Sequence, residues 1–194
     1  MQKFVSHIDK ETVNSLPRIL FSKEIVVVNN ENEANNAVEY LSKQTILGFD
    51  TETKPSFHKG LKNKMALLQL ASDEKVYLFR LQLVGIPDSL VQLIENENIK
   101  KIGAAIHDDV KGLLKIQQMQ PAGFVDLQQL VQKHGIEDKS LQKMAAIVLG
   151  KKVSKAQRLT NWENPELSMP QQLYAATDAW VCLEIFKNID GKSA

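Results

Sequence analysis

TILGFDTET, residues 45–53, runs apolar as far as Phe49 and ends in the acids Asp50 and Glu52, the pattern of a buried strand reaching a polar edge. Two further apolar runs follow, KMALLQLAS at 64–72 and KVYLFRL at 75–81, and the polar link SDEK between them suits a hairpin. Upstream, the β-branched EIVVV (24–28) precedes ENEANNAVEYLSKQ, where Ala34, Ala37, Val38 and Leu41 share one helical face. Downstream, PDSLVQLIENEN (87–98) opens on a proline with helical apolar spacing, and IKKIGAAI (99–106) reads as another strand. From His107 the pattern turns helical, over 107–118, 126–135, 140–150 and 170–189, with Gly135 and Gly150 placed to stop two of the helices. Three successive strands, then alternation, then helices predict an α/β domain with a mixed β-sheet flanked by helices.

A chain of 194 residues, 43% hydrophobic, has the size of one ordinary domain with a substantial core. That domain is expected over 24–190, behind an N-terminal arm or short helix over 1–23. The single cysteine, Cys182, excludes an internal disulfide, and no paired-cysteine spacing suggests structural zinc. No apolar run resembles a signal peptide or is long enough to cross a bilayer, so a cytoplasmic location is expected, nuclear in a nucleated source, with no membrane partner. No GxxxxGK[ST] loop is present, so no ATP site is expected. The net charge of +1 is neutral on nucleic acid. Its distribution is less so, since KKVSKAQR gathers Lys151, Lys152, Lys155 and Arg158 without an acid.

Three acidic motifs stand in order. Asp50 and Glu52, two residues apart on a strand, send both side chains to one face. Two like charges at the end of an apolar strand are unfavourable without cations, and hard divalent cations need several oxygen ligands at one point. Asp108 and Asp109 open a helix after the apolar GAAI, where neighbouring positions are about 100° apart, so one can face a site while the other meets solvent. Tyr174 and Asp178, at i and i+4 on an otherwise apolar helix, lie one turn apart on the same side. A buried aspartate there needs a partner, which a metal would supply.

This order, together with GFDTET, KMALLQLAS, IGAAIHDDVKGLLK, FVDLQQL and LYAATDAW, resembles the DEDD exonuclease superfamily in its tyrosine-bearing branch, which includes ribonuclease D and the Werner-type exonuclease domains. The resemblance runs from about residue 25 to 189. It implies a ribonuclease H-like fold and a 3′ to 5′ exonuclease using two ions of Mg²⁺ or Mn²⁺ on a single-stranded 3′ end, DNA slightly ahead of RNA, and releasing nucleoside 5′-monophosphates. Asp50, Glu52 and Asp178 would hold the first metal, with Asp50 bridging to a second that Asp109 binds. Tyr174, with an ordinary phenol pKa near 10, would position the attacking water rather than deprotonate it. Substrate contacts are expected from Phe57 or His58 in the loop after Glu52, with Lys54 or Lys59, and from Lys155 and Arg158. Trp162 and Trp180 are expected to be packing residues. A binding module that keeps the fold without catalysis is the alternative, and the loss of a metal-site acid would have favoured it.

Overall fold

The apolar run at 65–71 is buried at every position, and a strand of that kind needs a layer on each side. In the computed structural model, which describes residues 4–55 and 63–190, it has both. The chain runs α1 (Lys10–Ser15), β1 (Glu24–Val28), α2 (Glu31–Leu41), β2 (Ile46–Thr53), β3 (Met65–Ala71), β4 (Lys75–Arg80) and α3 (Leu81–Val84). It continues through α4 (Asp88–Glu95), β5 (Lys100–Gly103), α5 (His107–Ile116), β6 (Phe124–Asp126), α6 (Leu127–Lys133), α7 (Leu141–Leu149) and α8 (Met169–Asp190). The strands form one sheet in the order β1-β4-β3-β2-β5-β6. β3 pairs antiparallel with β2 and β4 while the other pairs are parallel, so β3 alone opposes the rest. This is the mixed, helix-flanked sheet that the sequence predicts.

Alternation along the strands divides the core. Leu47 and Phe49 of β2 meet Ala34, Ala37 and Leu41 of α2 and Leu90 and Ile94 of α4. On the other face, Ala175, Ala176 and Ala179 of α8 pack with Leu67, Ala71 and Leu78. Further along α8, Val181, Ile185 and Phe186 meet Leu127, Val131 and Met144 of α6 and α7, which explains why this helix is apolar on most sides. Gly48 sets how closely α8 rests on β2. A Cβ there would lie 2.0 Å from the carbonyl oxygen of Ala179.

Two expectations need correction. The strand expected over 99–106 ends at Gly103, because the chain turns at Ala105 (φ 58°), whose N–H donates to the Asp126 carboxylate at 3.1 Å. α5 then begins at His107. Residues 124–126 form a strand where the sequence predicts none and starts a helix at 126, paired in parallel with β5 at the sheet's edge. The N-terminal segment is tied down at several points. Asp9 caps α1 by accepting from Thr12 N–H at 2.8 Å, Ile19 N–H donates to Lys152 O at 3.0 Å, and Phe21 N–H donates to Thr177 Oγ1 on α8 at 3.1 Å. Among the described residues no helix is long and apolar enough to cross a membrane.

Candidate active site

Asp50 and Glu52 leave β2 on the face that meets α8, as their two-residue spacing requires. Asp178 comes from α8, one turn beyond Tyr174. An oxygen from each of the three carboxylates lies within 4.8 Å of the others. Glu52 and Asp178 are only 9% and 8% exposed, and Asp50 is half-buried. Asp109 approaches from α5 and stands beside this trio. Its carboxylate accepts a hydrogen bond from the Thr51 hydroxyl, and its charge is felt by Asp50 and Glu52. Asp108, one helical step away, is exposed.

Gathering these acids is electrostatically expensive. Burial, then the charge of Asp109, raises Asp50 to about 7, although the Thr51 N–H donates to it at 2.9 Å. Burial, then the charges of Asp50 and Asp178, raises Glu52 to about 10, with Arg158 close enough to oppose the shift. Asp178 is pushed well up by burial and then by Asp50, and Asp109 is raised chiefly by burial. The Tyr174 phenol lies against Asp178; burial, then the Asp178 charge, keeps it protonated far above neutral pH.

None of the four acids has a lysine or arginine ion-pair partner among the described residues. Asp178 Oδ1 is buried and has no hydrogen-bond partner there either. Uncompensated buried carboxylates are costly, and a divalent cation is the compensation that an all-oxygen donor set fits. Asp50, Glu52 and Asp178 have the arrangement to hold one.

The fold brings Asp50, Glu52, Asp109, Tyr174 and Asp178 together. The other expected contacts fare differently. Phe57, His58 and Lys59 lie outside the described residues. Lys54 is engaged with Glu163 at 3.0 Å. Arg158 faces Glu52 electrostatically, whereas Lys155 lines a separate cavity. Trp162 is fully buried, its ring 6.0 Å from that of Tyr174, and Trp180 packs on Phe21 at 5.6 Å, so both are packing residues. Sequence reading missed Gln69. It stands opposite Asp50 in the β2–β3 register, fully buried, and neither amide atom has a partner among the described residues. The signal was there, a single amide inside the apolar run MALLQLA.

A family model described as 3′-5′ exonuclease matches residues 25–193. The mouse bifunctional 3′-5′ exonuclease/ATP-dependent helicase WRN is 36% identical over 155 residues, covering 77% of this chain and 11% of WRN. An Arabidopsis thaliana 3′-5′ exonuclease is 32% identical over 185 residues, covering 88% of this chain and 62% of that one. The chain therefore spans less than two thirds of either relative. Among solved structures, the Aedes aegypti Nibbler EXO domain superposes with a TM-score of 0.81 at 22% identity, covering 90% of this chain and 92% of that one. Escherichia coli RNase D, described as an exoribonuclease involved in structured RNA processing, does so with a TM-score of 0.76 at 18% identity, covering 89% and 46%. These two likenesses establish the ribonuclease H-like fold.

Proposed function

The chain belongs to the 3′-5′ exonuclease family, and from that premise we propose that it removes nucleotides from the 3′ end of a single nucleic-acid strand by metal-assisted hydrolysis. One observation carries the proposal: three carboxylates from two elements converge within 4.8 Å, and one of their buried oxygens has no hydrogen-bond partner among the described residues. Asp50, Glu52 and Asp178 would hold one Mg²⁺ or Mn²⁺, and Asp50 with Asp109 a second. When bound, such ions activate water and stabilise charge on the leaving oxygen. Thr51 fixes the Asp109 carboxylate through its hydroxyl. Tyr174, held protonated, orients the attacking water and does not take its proton. Hydrolysis breaks the bond from phosphorus to the 3′ oxygen of the preceding nucleotide, so the product leaves as a nucleoside 5′-monophosphate. DNA, slightly ahead of RNA, is the strand we propose it favours.

The test digests 5′-labelled DNA and RNA strands with Mg²⁺, Mn²⁺ or EDTA. Metal-dependent ladders shortened from the 3′ end, faster on DNA, are expected. Retained binding with full-length strand in every lane would instead favour the non-catalytic module.

Two further outcomes follow from the site's geometry. Asp109→Asn is expected to lower the initial rate by at least about a hundred-fold, close to 3 kcal/mol of barrier, while Asp108→Asn stays within about two-fold. The reverse ranking would move the middle ligand to Asp108. Metal uptake must displace protons from carboxyls whose titration is raised, Asp50 to about 7. Affinity for Mn²⁺, read by thermal shift, should therefore rise between pH 6 and 7, by up to about ten-fold for each proton displaced. A flat profile would show that the ligands are already ionised.

A further inference from the structure

The N-terminal segment, the start of α7 and residues 152–155 line a cavity of about 600 Å³. Its charged lining is entirely basic: Lys10, Arg18, Lys143, Lys152 and Lys155. Two of these are committed, Lys143 to Asp138 at 2.7 Å and Lys152 to the Asn14 carbonyl at 2.6 Å. Lys10, Arg18 and Lys155 are exposed and have no acidic partner among the described residues. The floor is apolar, made by the buried Val13 and Val153.

The walls are held in place. Lys152 N–H donates to Pro17 O at 3.0 Å and Ile19 N–H donates to Lys152 O at 3.0 Å, a short parallel bridge that fastens the N-terminal segment to the basic run. A second depression of about 320 Å³ shares Arg18, Val153 and Ser154 with the first and reaches Tyr174 and Asp178. The basic cavity thus shares a wall with a depression that reaches Tyr174 and Asp178. Lys10 and Arg18 also precede residue 25, where the match to the exonuclease family begins.

Resting on the exonuclease reading, we propose that this cavity binds the sugar-phosphate backbone of the substrate strand, at nucleotides 5′ of the one being removed, with Lys10 and Arg18 supplying two of its three uncommitted cations. Unpaired cations next to a depression that reaches Tyr174 and Asp178 can grip phosphates without reading bases, which suits an enzyme that must accept each new 3′ end. The segment ahead of β1 is then a part of the substrate track.

The experiment compares wild type with Lys10→Ala/Arg18→Ala, two exposed positions whose loss leaves the core untouched. It measures binding of a labelled single strand of about twelve nucleotides across a salt series, and KM and kcat on that strand and on a dinucleotide. The double variant should bind the long strand about ten-fold more weakly, with KM raised accordingly. Its salt slope should be shallower by about 1.4, two single-strand phosphate contacts at about 0.7 each. Its preference for the long strand over the dinucleotide should fall. Cleavage by wild type, with long-strand KM and salt slope unchanged in the double variant, overturns the cavity proposal alone. If wild type cuts nothing yet its binding still drops in the double variant, the exonuclease reading falls and the cavity stands as a nucleic-acid site.

Discussion

Asp178→Asn is expected to abolish strand cleavage, by at least about a thousand-fold, and to make the metal-free protein more stable. The first effect follows from the geometry, because the substitution removes a charged ligand from a trio within 4.8 Å, and the metal-derived stabilisation of the transition state is worth several kcal/mol. The second follows from the repulsion that the metal-free site stores. Burial, then the charge of Asp109, raises Asp50 from 3.8 to about 7, and burial, then the charges of Asp50 and Asp178, raises Glu52 to about 10. A neutral amide at 178 relieves part of this. A gain of about 1–2 kcal/mol would lift Tm by about 3–6 °C in a domain of this size.

The sign in pH is fixed by the same shift. A carboxyl whose folded pKa lies above its unfolded value carries no penalty below the unfolded value. It loses stability progressively as pH rises toward the folded one. The metal-free wild type should therefore lose stability from about pH 4 to about pH 7, the window set by Asp50, and less steeply with asparagine at 178. Thermal melts in EDTA across that range measure it. A wild-type curve that climbs over the window, or a variant less stable than wild type, would mean that the acids are compensated within the protein.

Gly48→Ala has the largest effect expected outside the acids. The added methyl would meet the Ala179 carbonyl oxygen at 2.0 Å and its carbon at 2.9 Å, and both are backbone atoms of α8 that cannot rotate aside. The helix must shift or the strand must bend, at a cost at or above the upper end of ordinary overpacking, about 3 kcal/mol. Asp178 sits one residue before Ala179, so any shift also separates it from Asp50 and Glu52. Urea unfolding should show a lower midpoint with an unchanged slope, and residual activity should fall with it. Stability within about 1 kcal/mol of wild type would show that α8 is not pressed onto β2 as closely as described.

The acids were legible in the sequence because each is fixed by a local period. Two residues on β2 and four on α8 leave little freedom in where the side chains point. Asp109 was harder to separate from Asp108, since sequence places both at a helix start. Only the Thr51 hydroxyl and the exposure of Asp108 distinguish them. β6 escaped because three half-buried residues at a sheet edge carry no readable period. Gln69 escaped because its meaning lies in a cross-strand register, opposite Asp50, that no local pattern encodes. The basic run held part of its meaning in another segment. Lys155 lines a cavity whose other side comes from Lys10 and Arg18, more than a hundred residues earlier, joined to it by the Arg18–Lys152 bridge.

The most direct test follows a 5′-labelled single strand with wild type and Asp178→Asn side by side in Mn²⁺, with EDTA as the control. The expected result is a ladder shortening from the 3′ end with wild type alone, lost in EDTA, and intact strand with the variant. Wild-type rates in Asp178→Asn, or a ladder that persists in EDTA, would contradict a catalytic site built on these acids.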